Sequence, residues 1–284
     1  MHVLLVSAGD VAIEAGLRFA STGAEVTGWR RNSSKLPSEF TGQDVDLLQP
    51  ASWPQINPDT EVVVFTPVPA ARTYEAYTRS YLEVAKELAA RLQDQAPKLK
   101  RFIYVSSSAV SGGGDGEWID ESTEVAPNRA TSEVLADTER VFLDSGLPVT
   151  VLRASGIYGP GRNHLINQVR DASARMPLES HWTNRIHRDD LAQAIVHVAQ
   201  LGAAAEPIYM VTDNEPAQVG EIYAFLAQQL NLPVPPQATE PAVRRAANRR
   251  IRNDKLLATG FTLQFPGFRE GYASVLAGES TRHA

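Results

Sequence analysis

The chain has no cysteine, and this absence removes disulfides, thiolate metal sites and cysteine nucleophiles together. Its six histidines, at 2, 164, 181, 187, 197 and 283, form neither a His-x-x-x-His nor a His-Glu-x-x-His pair, so no metal site is expected. No apolar run approaches the roughly 18–20 residues that span a bilayer; the longest strings, such as EVVVFTPVPAA, are strand-length. The opening MHVLLVSAG lacks a basic segment and a small-residue cleavage site, and reads as a first strand. With neither a signal nor a span, no membrane partner is expected, and the expected location is cytoplasmic. Basic charge is also scarce: 27 Lys and Arg face 33 Asp and Glu, and the net charge of −6 disfavours nucleic acid as the main partner. Internal repeats and low-complexity tracts are missing too.

What is present is an ordinary globular composition, 43% hydrophobic and 21% charged, over 284 residues. That length suits one large α/β domain or two joined lobes. HVLLV (2–6) is a buried-type strand, and VAIEAGLRFASTG (11–23) has helical spacing and stops at Gly23. Further strands are expected at 24–31, 44–49, 60–68, 101–110 and 148–159, with helices near 71–92 and 129–144. This alternation argues for a parallel sheet covered on both faces. Beyond Gly161 it loosens: helices are expected at 162–176, within 184–202 with Asp189 or Asp190 as cap, and at 220–232, and a strand at 207–213. A basic run follows at 243–255.

In an open parallel sheet, ligands bind beyond the carboxyl ends of the strands. The first turn, Ser7-Ala8-Gly9-Asp10-Val11-Ala12, reads S-x-G-x-x-A against the dinucleotide fingerprint G-x-G-x-x-G. Gly9 keeps the position that lets a pyrophosphate approach the backbone, Ala12 keeps close helix packing, and Ser7 departs from the pattern. Ser7, Gly9, Asp10, Val11 and Ala12 are therefore the candidate cradle, although a tight structural turn would use the same residues. At the end of strand 2, NAD-preferring proteins carry an acid for the ribose 2′-hydroxyl. Here the sequence is Trp29-Arg30-Arg31-Asn32, without an acid. Paired guanidiniums suit a 2′-phosphate, which points to NADP, with NAD as the alternative cofactor and a solvated turn as the bland reading.

At YVSSSAVSG, PNRATSEVL, VLRASGIYGPGR and NRIHRDDLAQAI the chain resembles an extended short-chain dehydrogenase of the NAD-dependent epimerase/dehydratase family, in an atypical branch. The resemblance covers about 1–275, and GIYGPGR and IHRDDLA are its more specific motifs. It implies a Rossmann-type doubly wound parallel sheet with helices on both faces, formed by 1–160 and completed by about 184–213. A smaller C-terminal substrate lobe would come from 161–183 and 214–284. A small-molecule substrate is implied, and a homodimer is allowed.

The resemblance also assigns residues. A serine after strand 5 orients the substrate oxygen, and Ser107 matches it best, with Ser108 close behind and Ser106 on the cofactor side. The family's Tyr-x-x-x-Lys pair falls on Thr131 and Leu135. A threonine hydroxyl cannot replace a tuned phenol, and leucine supplies no charge. Tyr158 is the remaining catalytic candidate, with a structural role as its alternative. Thr66, Pro67 and Val68 form the loop beside the cofactor. Asn184, Arg185 and Arg250 are candidates for a substrate anion, against surface ion pairing as the alternative. Tyr74, Tyr77 and Tyr81 recur at helical spacing and read as core. The resemblance leaves three functions open: an NADP-dependent oxidoreductase or epimerase with a non-standard site acting on a small or nucleotide-linked substrate, a catalytically inactive NADP-binding sensor or regulator, or an enzyme whose site is built elsewhere in the cleft without hydride transfer.

Overall fold

The computed structural model describes residues 1–241 and 247–283, so Arg244 and Arg245 of the basic run lie outside the described residues. Seven strands make one wholly parallel sheet: β1 (His2–Val6), β2 (Glu25–Arg30), β3 (Phe40–Asp44), β4 (Thr60–Phe65), β5 (Arg101–Ser107), β7 (Val149–Ala154) and β11 (Ile208–Val211). Their order across the sheet is β11-β7-β5-β4-β1-β2-β3, which reverses direction between β1 and β4. This is a Rossmann-type α/β fold. The third strand begins at Phe40 rather than in the more apolar 44–49, because Phe40 packs against the core and Val45 closes the strand's end.

Helices α1 (Asp10–Ser21) and α6 (Arg188–Gln200) cover one face of the sheet, and α3 (Val84–Gln95) and α4 (Ala130–Leu143) the other. Both faces of β1, β4 and β5 are therefore dry, which is why those strands read as continuous apolar runs. The expected helix over 71–92 is broken in two. A short α2 (Tyr74–Tyr77) runs through a π-turn at Thr78–Glu83 into α3.

Short elements sit beyond the carboxyl ends of the strands. β6 (Glu117–Ile119) pairs with β13 (Arg249–Ile251), β8 (Gly156–Tyr158) with β10 (Arg185–His187), and β9 (Trp182–Thr183) with β12 (Ala217–Gln218). Helices α5 (His164–Arg170), α7 (Val219–Gln229) and α9 (Phe268–Ala277) gather a separate apolar cluster around Tyr158, Ile222, Leu226 and Phe268. A small α8 (Asp254–Leu257) returns to the main core. The cap of α6 is neither of the aspartates. His187 accepts from Asp189 N–H through Nδ1 at 3.2 Å, and Asp190 accepts from the backbone of Gln264 and Phe265 at 2.7 and 3.0 Å. No helix among the described residues is long and apolar enough to cross a membrane.

Candidate functional site

A cleft of about 880 Å³ opens at the carboxyl ends of β1, β4, β5 and β7. A smaller hollow of about 380 Å³ lies at the other ends of the strands, around His2, Glu25 and Thr60. Parallel sheets place ligands at the carboxyl ends, so the larger cleft is the candidate site. Its floor starts at Gly9, Asp10 and Val11, where β1 turns into α1. No side chain caps α1, and a Cβ added at Gly9 would meet nothing nearer than Ser7 O at 3.9 Å. An uncapped helix start with open space over a glycine suits an anionic group. Ser7 holds φ 66°, a left-handed conformation that glycine adopts without strain, so the turn keeps a glycine-like backbone despite the serine.

Asp10 is not open to a ligand. Its carboxylate accepts from Arg188 Nη1 at 2.8 Å, Arg162 Nε at 3.3 Å and His283 N–H at 3.1 Å. Ala12 is fully buried against the sheet and serves packing. Trp29 is likewise core rather than cofactor contact: it is 1% exposed, tilts against Trp53 at 5.8 Å and donates to Gln43 Oε1 at 2.6 Å. Arg30 ends β2 half-buried and Arg31 is exposed just beyond it, outside the lining of the cleft. Thr66, Pro67 and Val68 line the cleft beside Gly9. Thr66 Oγ1 donates to Ser7 O at 3.1 Å and ties the two loops together.

The three serines after β5 diverge. Ser106 donates to Glu139 at 2.6 Å within a buried network in which Arg153 grips the same carboxylate through Nε and Nη2. Its hydroxyl is therefore structural, although the residue lines the cleft. Ser107 and Ser108 are half-buried in the cleft wall. Thr131 and Leu135 also line it, one turn apart on α4, and Leu135 packs with Val110, Tyr77 and Tyr81.

Tyr158 does not face this cleft. It is 4% exposed, tilts against Tyr272 at 4.6 Å and meets His187 edge-on at 5.2 Å, with its hydroxyl 3.4 Å from Gly267 O. Burial raises its phenol far above the ordinary range, so it is a packing residue. Arg185 is buried over the Phe268 ring at 5.6 Å and donates to Thr183 Oγ1 at 2.6 Å, away from the cleft. Asn184 does line the cleft, but its amide is used to pin β13, bonding Arg249 O and Ile251 N–H, each at 2.9 Å. Arg250 is held between the rings of Trp118 and Trp182, at 4.9 and 5.1 Å.

Arg249, not Arg250, reaches the cleft, because side chains alternate along β13. Its guanidinium is buried and donates to three carbonyls, those of Ser108, Ser111 and Gly112. Arg72, Arg129 and Arg162 also line the cleft, as does Tyr77, which helical spacing alone assigns to the core. Arg162 and Arg129 lie inside the GIYGPGR and PNRATSEVL motifs, whereas tertiary contacts alone place Arg72. Among the described lining residues, four arginines face one acid, Asp10.

The profile of the NAD dependent epimerase/dehydratase family matches residues 17–211. A Methylobacillus flagellatus protein, provisionally described as an NAD-dependent epimerase/dehydratase, is 30% identical over 98% of both chains, with a TM-score of 0.79. Two more distant structures share the fold. MoeE5, solved with UDP-glucose and NAD, is 19% identical over 98% of both chains with a TM-score of 0.83. UDP-glucuronic acid 4-epimerase from Bacillus cereus, solved with UDP-glucuronic acid and NAD, is 16% identical over 98% of this chain and 99% of that one, with a TM-score of 0.80. No curated protein matches the sequence.

Proposed function

Because the chain belongs to the NAD-dependent epimerase/dehydratase family, we propose that its cleft binds a nicotinamide dinucleotide, NADP in preference to NAD. We assign it an oxidoreductase or epimerase-type reaction on a small or nucleotide-linked substrate. The reading rests on one observation above the others: α1 begins uncapped at Gly9 and opens into a cleft large enough for a dinucleotide. The Gly9 N–H already donates to Ser7 O at 2.7 Å, so the N–H groups of the first turn of α1, that of Val11 among them, would take the pyrophosphate across the bare Gly9 backbone, with the Arg162 guanidinium at the same wall. Thr66, Pro67 and Val68 would flank the middle of the cofactor. Arg30 and Arg31 would meet the 2′-phosphate through charge-assisted bonds. When bound, the nicotinamide supplies or accepts a hydride. Ser107 would orient the substrate oxygen, and the residues 161–183 and 214–284 would form the substrate-binding lobe. MoeE5 and the Bacillus cereus epimerase were solved with uridine-diphosphate sugars, which makes a nucleotide-linked substrate one class to test.

A second reading, an NADP-binding sensor without turnover, is favoured by a specific observation. Thr131 and Leu135 line the cleft where the family's phenol and amine are expected, so neither acts there.

Calorimetric titration with NADP and NAD tests the cofactor. A single charge-assisted hydrogen bond contributes roughly 1.5–3 kcal/mol, so NADP is expected to bind about tenfold or more tightly. Arg30→Asp should flatten or reverse the preference. Equal affinity of the unaltered protein for both nucleotides would sink the NADP assignment.

A further inference from the structure

The family's phenol is missing at position 131, but another phenol stands on the same wall of the cleft. Tyr77 ends α2, which packs against α4, and it lines the cleft together with Ser107, Ser108 and Thr131. Its ring stacks on Tyr81 at 5.1 Å with 25° between the planes. The two hydroxyls have different fates. Tyr81 donates to Pro67 O at 3.0 Å, and burial raises its phenol, so it is committed to the loop. The Tyr77 hydroxyl is held by no hydrogen bond among the described residues, and the ring is half-buried.

Leu135 makes sense in this setting. It is 6% exposed and, with Val110 and Ala136, forms the apolar seat on which Tyr77 and Tyr81 rest. A lysine here would place an ammonium against two rings and aliphatic neighbours, a costly burial without a counter-charge. The leucine and the tyrosine pair are thus one device. The π-turn at Thr78–Glu83 directly follows Tyr77 and contains Tyr81, a local irregularity often found at functional sites. Among the described lining residues the other acidic side chains are occupied: Asp10 is held by Arg188 and Arg162, Tyr81 donates to Pro67 O, and arginines do not release protons.

We propose that Tyr77 is the proton donor of this site, acting in the reduction of a carbonyl substrate. This rests on the cofactor reading above. Position 135 offers no cation to lower the phenol's pKa, so Tyr77 keeps its proton at neutral pH and is assigned as the acid in the direction of reduction. A reduced nicotinamide bound in the cleft would supply the hydride that the carbonyl carbon accepts. The carbonyl oxygen, taking the electron pair of the broken π bond, accepts the Tyr77 proton as the Oη–H bond breaks. Water then reprotonates the phenolate. The sum is C=O plus NADPH plus H⁺ giving CH–OH plus NADP⁺.

The test uses the full chain, NADPH and 4-nitrobenzaldehyde as carbonyl probe. Tyr77→Phe keeps the stacked ring, so melting temperature and NADPH affinity are expected to match the unaltered protein. Probe reduction should fall by roughly 10²–10⁴-fold, the usual contribution of a positioned acid. Tyr74→Phe, at an exposed neighbour, should change nothing. NADPH with the probe should also shield Tyr77 from nitration by tetranitromethane, read by peptide mass. If the unaltered protein fails to bind NADPH, the cofactor reading falls and takes this proposal with it. If NADPH binds but the probe is not reduced, or reduction survives Tyr77→Phe, or Tyr77 nitrates unshielded, the assignment of Tyr77 is overturned while the cofactor reading stands.

Discussion

At the scale of single residues, identity and position carry different information. Gly9 was legible because a pyrophosphate needs bare backbone after a first strand. In the structure it has open space around it and an ordinary φ of −99°, so its hydrogen is not required by the fold. Gly9→Val is therefore expected to leave the melting temperature within a degree or two and to abolish dinucleotide binding in calorimetry. A variant that folds and binds normally would move the pyrophosphate elsewhere. Trp29 and Tyr158 show the opposite case. Their places in the sequence matched cofactor and cleft, but aromatic side chains can turn to either side of a strand end. Here Trp29 turns onto Trp53, and Tyr158 onto Tyr272 and His187. Gly271 on α9 leaves room for that Tyr158 ring, since a Cβ there would lie 1.8 Å from its hydroxyl. No local pattern announces such a pairing across 113 residues of sequence.

Elements were easier to read than their contacts. The parallel strands announced themselves as apolar runs because both of their faces are covered. The third strand did not, since Phe40–Asp44 lies at the sheet edge with only Phe40 buried. The break between α2 and α3 was invisible too, because a π-turn needs no glycine or proline. Element packing also brings charges together inside the protein. Glu139 on α4 and Arg153 on β7 form a bidentate pair, 4% and 2% exposed, that also holds Ser106 and Ser111. Removing one partner strands the other charge, so Glu139→Ala should lower unfolding stability by about 3–5 kcal/mol in denaturant titration. A change within experimental error would mean that the buried arginine finds other partners.

Asp213, just past β11, gives a pH signature at the same scale. Burial raises its carboxyl to about 8, with Glu215 and Asp190 adding to the shift while Arg185 and the Glu215 N–H oppose it. One oxygen accepts from Glu215 N–H at 3.2 Å and the other has no partner among the described residues. Unfolded, the group has an ordinary pKa of about 3.9. Between about pH 4 and pH 8 the folded state keeps a proton that the unfolded state has released. This contribution to stability is complete below about pH 4 and is lost as pH rises towards 8. Asp213→Asn cannot ionise, so its melting temperature relative to the unaltered protein should climb between pH 5 and pH 8. A difference that stays constant across that range would mean that Arg185 keeps Asp213 ionised throughout.

Over the whole molecule, charge is distributed unevenly. The chain is acidic at −6, yet the described cleft lining carries four arginines against Asp10, which is itself held by Arg162 and Arg188. The composition disfavours nucleic acid as the main partner and does not reveal this local reversal, which the fold creates by bringing together residues from 72 to 249. The same assembly decides what chemistry is open to the site. Epimerising a sugar or oxidising an alcohol begins by taking a proton from a hydroxyl, and this needs a base. The family's tuned pair is replaced by Thr131 and Leu135, the one lining carboxylate is occupied by arginines, and the phenol at Tyr77 lacks a neighbouring ammonium. A tuned acid/base contributes roughly 10²–10⁴-fold to rate. With NADP or NAD present, turnover of ordinary sugar-nucleotide and alcohol substrates is therefore expected to be negligible, even where the dinucleotide binds tightly. The measurement is a spectrophotometric screen at 340 nm for oxidation, with chromatography of the sugar nucleotides for epimerisation. Robust turnover that survives Tyr77→Phe but is lost on changing Ser107 would show that a base has been built elsewhere in the cleft. It would overturn both the sensor reading and the restriction to carbonyl reduction.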